Sequence, residues 1–289
     1  MPGTADLLTL GGRRFTIRGP MRARGAALAL PAVVGGAWYQ AQRAAHSPLP
    51  EFEDLDLTGH YGPTPNGRTE PLAVAVLGDS TVTGPGLEHG REVFVARAAH
   101  HSRLPVRLTR HAVGGSRISD VLRQQLPNVL DTRPDLAIIS VGANDAVHST
   151  PLPQFERDMR AVLGALDRAG IEVVLCGLID LAVIPRVPIG LRSMLGRRGL
   201  AVERRKARAT QSAARAVHVG VGRRVNEAFR ARGEDFFTAD RFHPNALGHR
   251  CLGDALRPAF DAAIARAARA RRDAAVGWFA TTRPVAAVG

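Results

Sequence analysis

Apolar runs alternate with amphipathic stretches through the middle of the chain, and both patterns predict regular elements. Four short apolar runs have the length and composition of buried strands, at residues 72–77, 106–113, 135–141 and 171–175. Helical periodicity lies between them, at residues 91–102, 118–125 and 155–169, and Gly170 supplies a C-cap for the last of these. This alternation favours an α/β domain with a parallel sheet covered by helices on both faces.

The pattern becomes irregular after the fourth run. Residues 180–200 contain two prolines, four arginines and several aliphatic residues. We interpret this segment as an irregular crossover packed on the core, or alternatively as a cap that contacts the substrate. A long arginine-rich helix is expected over residues 201–232, and a last short strand at 236–237. The final helix is expected over residues 246–270.

The two ends of the chain flank a predicted domain at residues 71–270. Five arginines in the first 24 positions precede a charge-free apolar stretch at residues 25–39. This order is typical of a signal peptide or a membrane anchor, and the lack of a small-residue cleavage site favours the anchor; a buried helix is the alternative. Residues 1–45 are therefore expected to direct the protein out of the cell or to the cell envelope, failing which it is cytoplasmic.

Two further segments complete the predicted organisation. Residues 46–70 are rich in proline, glycine and acids, and we expect a linker there. Residues 271–289 are rich in alanine and arginine, and we expect a flexible tail.

Composition excludes some partners. The chain has 289 residues and a formal net charge of +13, but its aromatic content is only 5% and its basic residues are spread along the sequence. These features argue against nucleic-acid binding. Cys176 and Cys251 have no metal-ligand spacing, so we expect no metal and no other cofactor. The two cysteines form either one disulfide or two buried thiols.

Residues suited to acyl transfer follow three of the predicted strands and also occupy a later turn. They are Ser80, Gly115, Asn144, and the pair Asp240 with His243. Parallel strands bring their carboxyl ends to one edge of a sheet, so we expect these residues to converge there. A serine becomes a strong nucleophile when a neutral imidazole accepts its proton and a carboxylate orients that imidazole. Backbone N–H groups of Ser80 and Gly115, with the Asn144 amide, are suited to stabilise an oxyanion.

The same residues lie in motifs that occur in a known order. They are Gly78-Asp79-Ser80, then Gly115 after the second strand, then Gly142-Ala143-Asn144-Asp145, then Asp240-Arg241-Phe242-His243. Over residues 72–256 the chain resembles the SGNH hydrolase family, the GDSL esterases and lipases, although Thr81 stands where leucine is common. The resemblance implies a flavodoxin-like three-layer α/β/α sandwich with a central parallel sheet. It also implies ester or thioester hydrolysis through an acyl-enzyme, without a metal.

Carried over by motif, the resemblance assigns a role to each candidate residue. Ser80 is the nucleophile, His243 the base and Asp240 the residue that orients it, while Ser80, Gly115 and Asn144 form the oxyanion hole. Asp79 and Asp145 are expected to brace their loops, and His148 is a candidate for lining the cleft. The implied partner is a small-molecule ester or lipid. Membrane association is expected separately, from the apolar stretch at residues 25–39.

Several alternatives stay open at the level of sequence. A nucleotide-binding loop is disfavoured because Gly78 to Gly86 contains neither a Walker A lysine nor a GxGxxG pattern. An ordinary α/β-hydrolase is disfavoured because its GxSxG elbow is missing around Ser80. An acyltransferase and a carbohydrate O-acetyl esterase use the same residues and differ only in the pocket. Apolar residues at 181–195 favour acyl chains slightly, while a small loop after Gly78 suits acetyl groups equally well.

Overall fold

The computed structural model describes residues 52–65 and 70–281, with side chains described as far as residue 274. The apolar stretch at residues 25–39 and the rest of segment 1–45 lie outside these residues. Among the helices of the described ranges, none combines the length and apolar character required to span a bilayer.

Six strands form one sheet, which accounts for the apolar runs of the sequence. They are β1 (Gly59–Tyr61), β2 (Leu72–Gly78), β3 (Val106–Arg110), β4 (Leu136–Ser140), β5 (Glu172–Cys176) and β6 (Ala216–Val219). The order across the sheet is β1-β3-β2-β4-β5-β6, and every pairing is parallel except that of β1 with β3. All residues of β4 and β5 are buried, as is typical of strands covered on both faces.

Helices cover both faces of this sheet. They are α1 (Ser80–Thr83), α2 (Phe94–His100), α3 (Ile118–Asp120), α4 (Leu126–Thr132), α5 (Ala143–Val147), α6 (Leu152–Arg168), α7 (Ile189–Thr210), α8 (Gly222–Arg232) and α9 (Ala246–Thr281). A π-helical turn, Val121–Gln125, joins α3 to α4, and 3₁₀ turns occur at Gly90–Glu92, Leu181–Val183 and Gly233–Phe236. Helix α9 packs against α2, and α6 packs against α7. The predicted three-layer α/β/α sandwich is confirmed.

The long helix predicted over residues 201–232 is wrong. Helix α7 begins earlier, at Ile189, and strand β6 separates it from α8. Alanine and arginine favour helix throughout this region, so the short strand at 216–219 has only its alternating valines as a signal. The strand predicted at 236–237 is also wrong, because Phe237 forms only an isolated bridge, with Pro244.

Both flanking segments are more ordered than the sequence indicates. The described part of segment 46–70, predicted to be a linker, contributes β1 to the sheet and buries Leu57 and Tyr61. Helix α9, predicted to end at residue 270, continues to Thr281, and Arg271 donates to the Asp135 carboxylate. The limits of the domain itself stay a prediction.

The sheet also fixes where a ligand belongs. From the central strand β2 the chain moves to β3 on one side, and then crosses to β4 on the other. In open α/β sheets, ligands bind outside the carboxyl ends of the strands at such a reversal. The residues that follow β2 and β4 therefore face the expected binding crevice.

Candidate active site

A close approach of two strands shapes the turn before Ser80. Gly78 has a φ of 140°, and a Cβ there would lie 1.8 Å from the Ser140 carbonyl oxygen, so only glycine fits. The buried Gln125 amide holds Gly78 from both sides: it accepts from Gly78 N–H (2.8 Å) and donates to Gly78 C=O (2.9 Å). These two hydrogen bonds fix the turn at which the chain leaves β2 and reaches Asp79.

Asp79 starts the short helix α1, which carries Ser80. Its carboxylate accepts from the Thr81 backbone N–H (3.0 Å) and from the Thr81 hydroxyl (2.7 Å). Burial raises the pKa of this fully buried carboxyl, against the effect of those hydrogen bonds. Thr81, which departs from the usual leucine, therefore adds a hydrogen bond to the cap. Ser80 occupies the first turn of α1, where backbone N–H groups have no partner inside the helix.

Asp240 and His243 are held together by one compact turn. His243 Nδ1 lies 2.6 Å from Asp240 Oδ2, while Asp240 Oδ1 accepts from the backbone N–H groups of Phe242 (2.8 Å) and His243 (3.0 Å). The Thr238 hydroxyl donates a further bond to Asp240 Oδ1 (2.6 Å). Burial alone would raise the pKa of Asp240, but these hydrogen bonds together hold it below its usual range. Asp240 therefore stays ionised beside the imidazole.

The serine and the histidine come from opposite ends of the domain and meet at the sheet edge. His243 Nε2 lies 3.1 Å from Ser80 Oγ, within hydrogen-bond reach. Asp240, His243 and Ser80 thus form a continuous chain of two short contacts. The ring of Phe242 meets the imidazole edge-on, with centroids 5.0 Å apart.

Asn144 belongs to the same crevice, and Gly115 lies in the neighbouring turn. Asn144 Nδ2 donates to the Ser116 carbonyl (3.2 Å), and Asp145 Oδ2 accepts from Ile118 N–H (3.0 Å). These bonds tie α5 to the turn that contains Gly115, which has a φ of 77°. Gly115 itself, by contrast, lies outside the described lining of the cavity next to Ser80.

A largely apolar cavity opens beside this group. Ser80, Asn144 and His243 line one end of it. The remaining lining includes the side chains of Phe94, Leu178, Leu181, Ile184, Leu252 and Leu256. Leu181 and Ile184 come from the 180–200 segment and belong to the hydrophobic core, so this segment packs on the core as the crossover interpretation predicts and also lines the crevice. The substrate contact of the cap interpretation stays a prediction. His148 is exposed and lies outside the described lining of this cavity.

The structure adds partners that sequence reasoning missed. Thr238 is a third side chain on the Asp240–His243 pair, and a hydroxyl residue two positions before the aspartate was its one sequence signal. Gln125 reaches Gly78 from 47 positions away, for which no local signal exists.

The described residues offer no group of three or more His, Cys, Asp or Glu side chains placed to hold a metal. Cys176 and Cys251 are free thiols. Burial raises the pKa of Cys176 to about 12, so it is an inert core residue.

Comparison with known proteins decides the family. Residues 76–251 match the model of the GDSL-like lipase/acylhydrolase family, which covers more than half of the chain. The chain belongs to this family. A GDSL-like esterase of Mycobacterium tuberculosis is 32% identical over 203 residues, which is 68% of this chain and 64% of that relative's length. The chain thus spans just under two thirds of this curated relative.

Solved structures agree with membership of the GDSL-like family at the level of fold. The crystal structure of TesA superposes with a TM-score of 0.52 at 20% identity, covering 66% of this chain and 99% of TesA. A catalytic mutant of Axe2, an acetylxylan esterase from Geobacillus stearothermophilus, gives a TM-score of 0.51 at 16% identity, covering 64% of this chain and 93% of Axe2. At these identities the likeness concerns the fold alone.

Proposed function

We propose that this protein is a carboxylic ester hydrolase that works through an acyl-enzyme on Ser80. The observation that carries the proposal is the pair of contacts from Asp240 Oδ2 to His243 Nδ1 (2.6 Å) and from His243 Nε2 to Ser80 Oγ (3.1 Å). Membership of the GDSL-like lipase/acylhydrolase family and the esterase relative support the same reaction class.

The first half of the reaction forms the acyl-enzyme. Ser80 Oγ attacks the ester carbonyl carbon while His243 Nε2 takes the hydroxyl proton, and the carbonyl electron pair moves onto oxygen. The oxyanion accepts hydrogen bonds from the Ser80 and Gly115 backbone N–H groups and from Asn144 Nδ2. When the tetrahedral intermediate collapses, the bond to the alcohol breaks and His243 returns the proton to the leaving oxygen.

The second half repeats these steps with water. His243 takes a proton from water, the hydroxide attacks the acyl carbon, and Ser80 leaves with the proton from the imidazolium. Ionised Asp240 stabilises that imidazolium in both halves. An alcohol in place of water would give acyl transfer with the same residues.

The apolar cavity favours a substrate with a hydrocarbon acyl group. Leu178, Leu181 and Ile184 offer contacts that remove acyl methylenes from water, each contributing about 0.8 kcal/mol when fully buried.

Hydrolysis of a p-nitrophenyl ester series from acetyl to palmitoyl tests the proposal. We expect the full chain to turn over at least one member, and Ser80→Ala and His243→Ala to lose about 10³-fold or more in kcat, because each breaks the proton path. His148→Ala is the matched control, since this exposed histidine follows the site loop without lining the cavity. A wild-type protein inactive on every ester, or a Ser80→Ala variant as fast as wild type, would refute the mechanism.

A further inference from the structure

A segment upstream of the family match crosses the carboxyl edge of the sheet. Residues 52–57, here called the N-terminal strap, precede the matched residues 76–251. The backbone N–H of Leu55 donates to the Thr83 carbonyl at the end of α1 (2.9 Å). The Phe52 ring meets the His243 imidazole at a right angle, with centroids 6.3 Å apart. The strap therefore contacts both the nucleophile helix and the histidine.

A third contact of the strap reaches the turn that presents Gly115. Asp54 Oδ2 accepts from the backbone N–H of Gly114 (3.0 Å) and lies 3.5 Å from Arg110 Nη1. Arg110 Nη1 also donates to the Ala112 carbonyl (2.6 Å). Asp54 and Arg110 together hold both ends of the segment 112–114. The guanidinium also offsets the negative charge of Asp54, which would otherwise oppose a developing oxyanion nearby.

Beyond Gly115 the turn is closed by the Ser116 N–H, which donates to the Val113 carbonyl (3.3 Å), and by Gln125 Nε2, which donates to Ser116 Oγ (3.1 Å). Two successive glycines leave the backbone with unusual freedom, and a Cβ at Gly115 would meet nothing within 4 Å. On the far side, the turn is held by Asn144 Nδ2 on the Ser116 carbonyl (3.2 Å). On the near side, the Gly114 N–H bond to Asp54 is the contact one peptide unit before Gly115.

We propose that Asp54 is a positioning residue of the active site: its carboxylate fixes the Val113–Gly114 peptide, and this orients the adjoining Gly114–Gly115 peptide so that the Gly115 N–H points at the oxyanion. The inference rests on the proposed esterase function and deepens it. It places a support of the oxyanion hole outside the four family motifs. Because Asp54 acts on a group that bonds the transition state, it affects kcat far more than substrate binding.

Asp54→Ala tests this in the full chain, with Asp56→Ala as the matched control. Asp56 lies two positions along, and its carboxylate bonds the backbone N–H of Thr58 (2.8 Å), away from the glycine turn. Asp54→Asn keeps an acceptor for Gly114 but loses the ion pair with Arg110. Rates on the best p-nitrophenyl ester are normalised to active sites titrated with a phosphonate, so that a partly unfolded variant is not mistaken for a slow one.

We expect Asp54→Ala to lower kcat about tenfold or more, below the loss of about 10²–10³ for removing an oxyanion donor outright, with KM nearly unchanged. Inhibition by butylboronic acid, which forms a tetrahedral adduct with a serine, should weaken by the same factor. Asp54→Asn should fall between Asp54→Ala and wild type, and Asp56→Ala should match wild type.

Hydrogen exchange supplies a readout that does not depend on activity. Peptides covering residues 111–117 should exchange faster in Asp54→Ala than in wild type or Asp56→Ala. Two results would overturn the positioning role, provided that wild type shows Ser80-dependent hydrolysis. One is a wild-type kcat in Asp54→Ala. The other is an equal change of kcat and KM in Asp54→Ala and Asp56→Ala. If wild type hydrolyses no ester, the proposed function fails and the positioning role of Asp54 fails with it, whatever the exchange rates report.

Discussion

Two buried carboxyl groups, Asp79 and Asp145, hold the turns that follow β2 and β4. Asp79 caps α1, and Asp145 accepts from Ile118 N–H, so each braces a loop as expected. Asp79 Oδ2 and Asp145 Oδ1 have no hydrogen-bond partner among the described residues. Burial raises the pKa of both carboxyls, and the charge of Asp79 adds to the rise at Asp145. Each carboxyl group thus holds a backbone turn, but its burial makes the ionised form less favourable than in water.

Burial also disfavours the charged form of a base, the imidazole of His249. It is 1% exposed, stacks on Phe94, and accepts from the Phe94 N–H through Nδ1 (3.2 Å). Burial, with smaller effects of His243 and Arg97, lowers the pKa of His249 to about 3 from an ordinary 6.5. Between pH 3 and pH 6.5, His249 is therefore protonated in the unfolded chain and neutral in the folded protein.

This difference predicts how stability responds to acid. Below pH 6.5 the His249 contribution to the free energy of unfolding should fall by about 1.4 kcal/mol per pH unit, because the unfolded state binds more protons. His249→Asn keeps an acceptor and should remove this part of the pH dependence. Urea unfolding of both proteins at pH 7.5 and 4.5 measures it, and equal losses of stability would contradict the assignment.

At the scale of elements, one buried side chain joins helix α7 to the sheet. Lys206, the single lysine of the chain, is fully buried and donates to the Cys176 carbonyl at the end of β5 (2.7 Å) and to Glu203 Oε1 (3.0 Å). Glu203 Oε2 also contacts His218 Nε2 on β6 (3.1 Å). Burial would raise the pKa of Glu203, but Lys206 and His218 together hold it at about 2.

Removing the Lys206 ammonium group should therefore destabilise the fold. Lys206→Met is expected to destabilise the fold by about 3–5 kcal/mol, because it removes the fully buried half of an ion pair and leaves the partly buried Glu203 carboxylate with one partner fewer. Arg205→Met is the control at the next position: its ion pair with Glu156 is partly exposed and worth less than about 1 kcal/mol. Chemical denaturation compares the two, and losses of similar size would show that Lys206 is not the anchor.

Strands buried on both faces could be predicted from the sequence, whereas the partly exposed strand β6 could not. The runs at 72–77, 135–141 and 171–175 coincide with β2, β4 and β5 to within one residue at every boundary, because strands buried on both faces are mostly apolar along their whole length. Strand β6 has intermediate exposure throughout, so its pattern was lost in an alanine- and arginine-rich background. Local hydrophobic patterns therefore predict which strands are buried, but they do not predict how a partly exposed strand pairs with distant strands.

The site follows the same rule. Ser80, Asn144, Asp240 and His243 are recognisable because each lies in a short motif at the end of an element. Asp54 and Gln125 are not, since their partners Gly114 and Gly78 lie 60 and 47 positions away. A hydrogen bond across such a separation leaves no trace in local composition.

At the scale of the whole molecule, distant segments meet at the edge of the sheet opposite the site. Asp135 Oδ2 accepts from Ala73 N–H at the start of β2 (2.7 Å), and Asp135 Oδ1 accepts from Arg271 Nε on α9 (2.8 Å). Arg271 also donates to the Pro71 carbonyl (3.3 Å). The region predicted to be a flexible tail thus supplies a tie between the two ends of the domain.

Arg271→Ala should reveal this tie. We expect a loss of about 1 kcal/mol, since bonds to a charged group are strong but partial exposure screens them. Arg272→Ala, at the next and exposed position, should stay within about 0.5 kcal/mol of wild type. Thermal unfolding of the two variants decides the matter, and equal melting temperatures would refute the tie.

The separation of Ser80 from His243 has a consequence for biosynthesis. The two residues stand 163 positions apart in the chain. A ribosome adding about 5–20 residues per second releases the serine roughly 10–30 s before the histidine. Throughout that interval the nascent polypeptide carries Ser80 without His243. If Ser80 acts through His243 as proposed, a chain that stalls or is cut before residue 243 lacks the base, and its kcat should be lower by about 10³-fold or more.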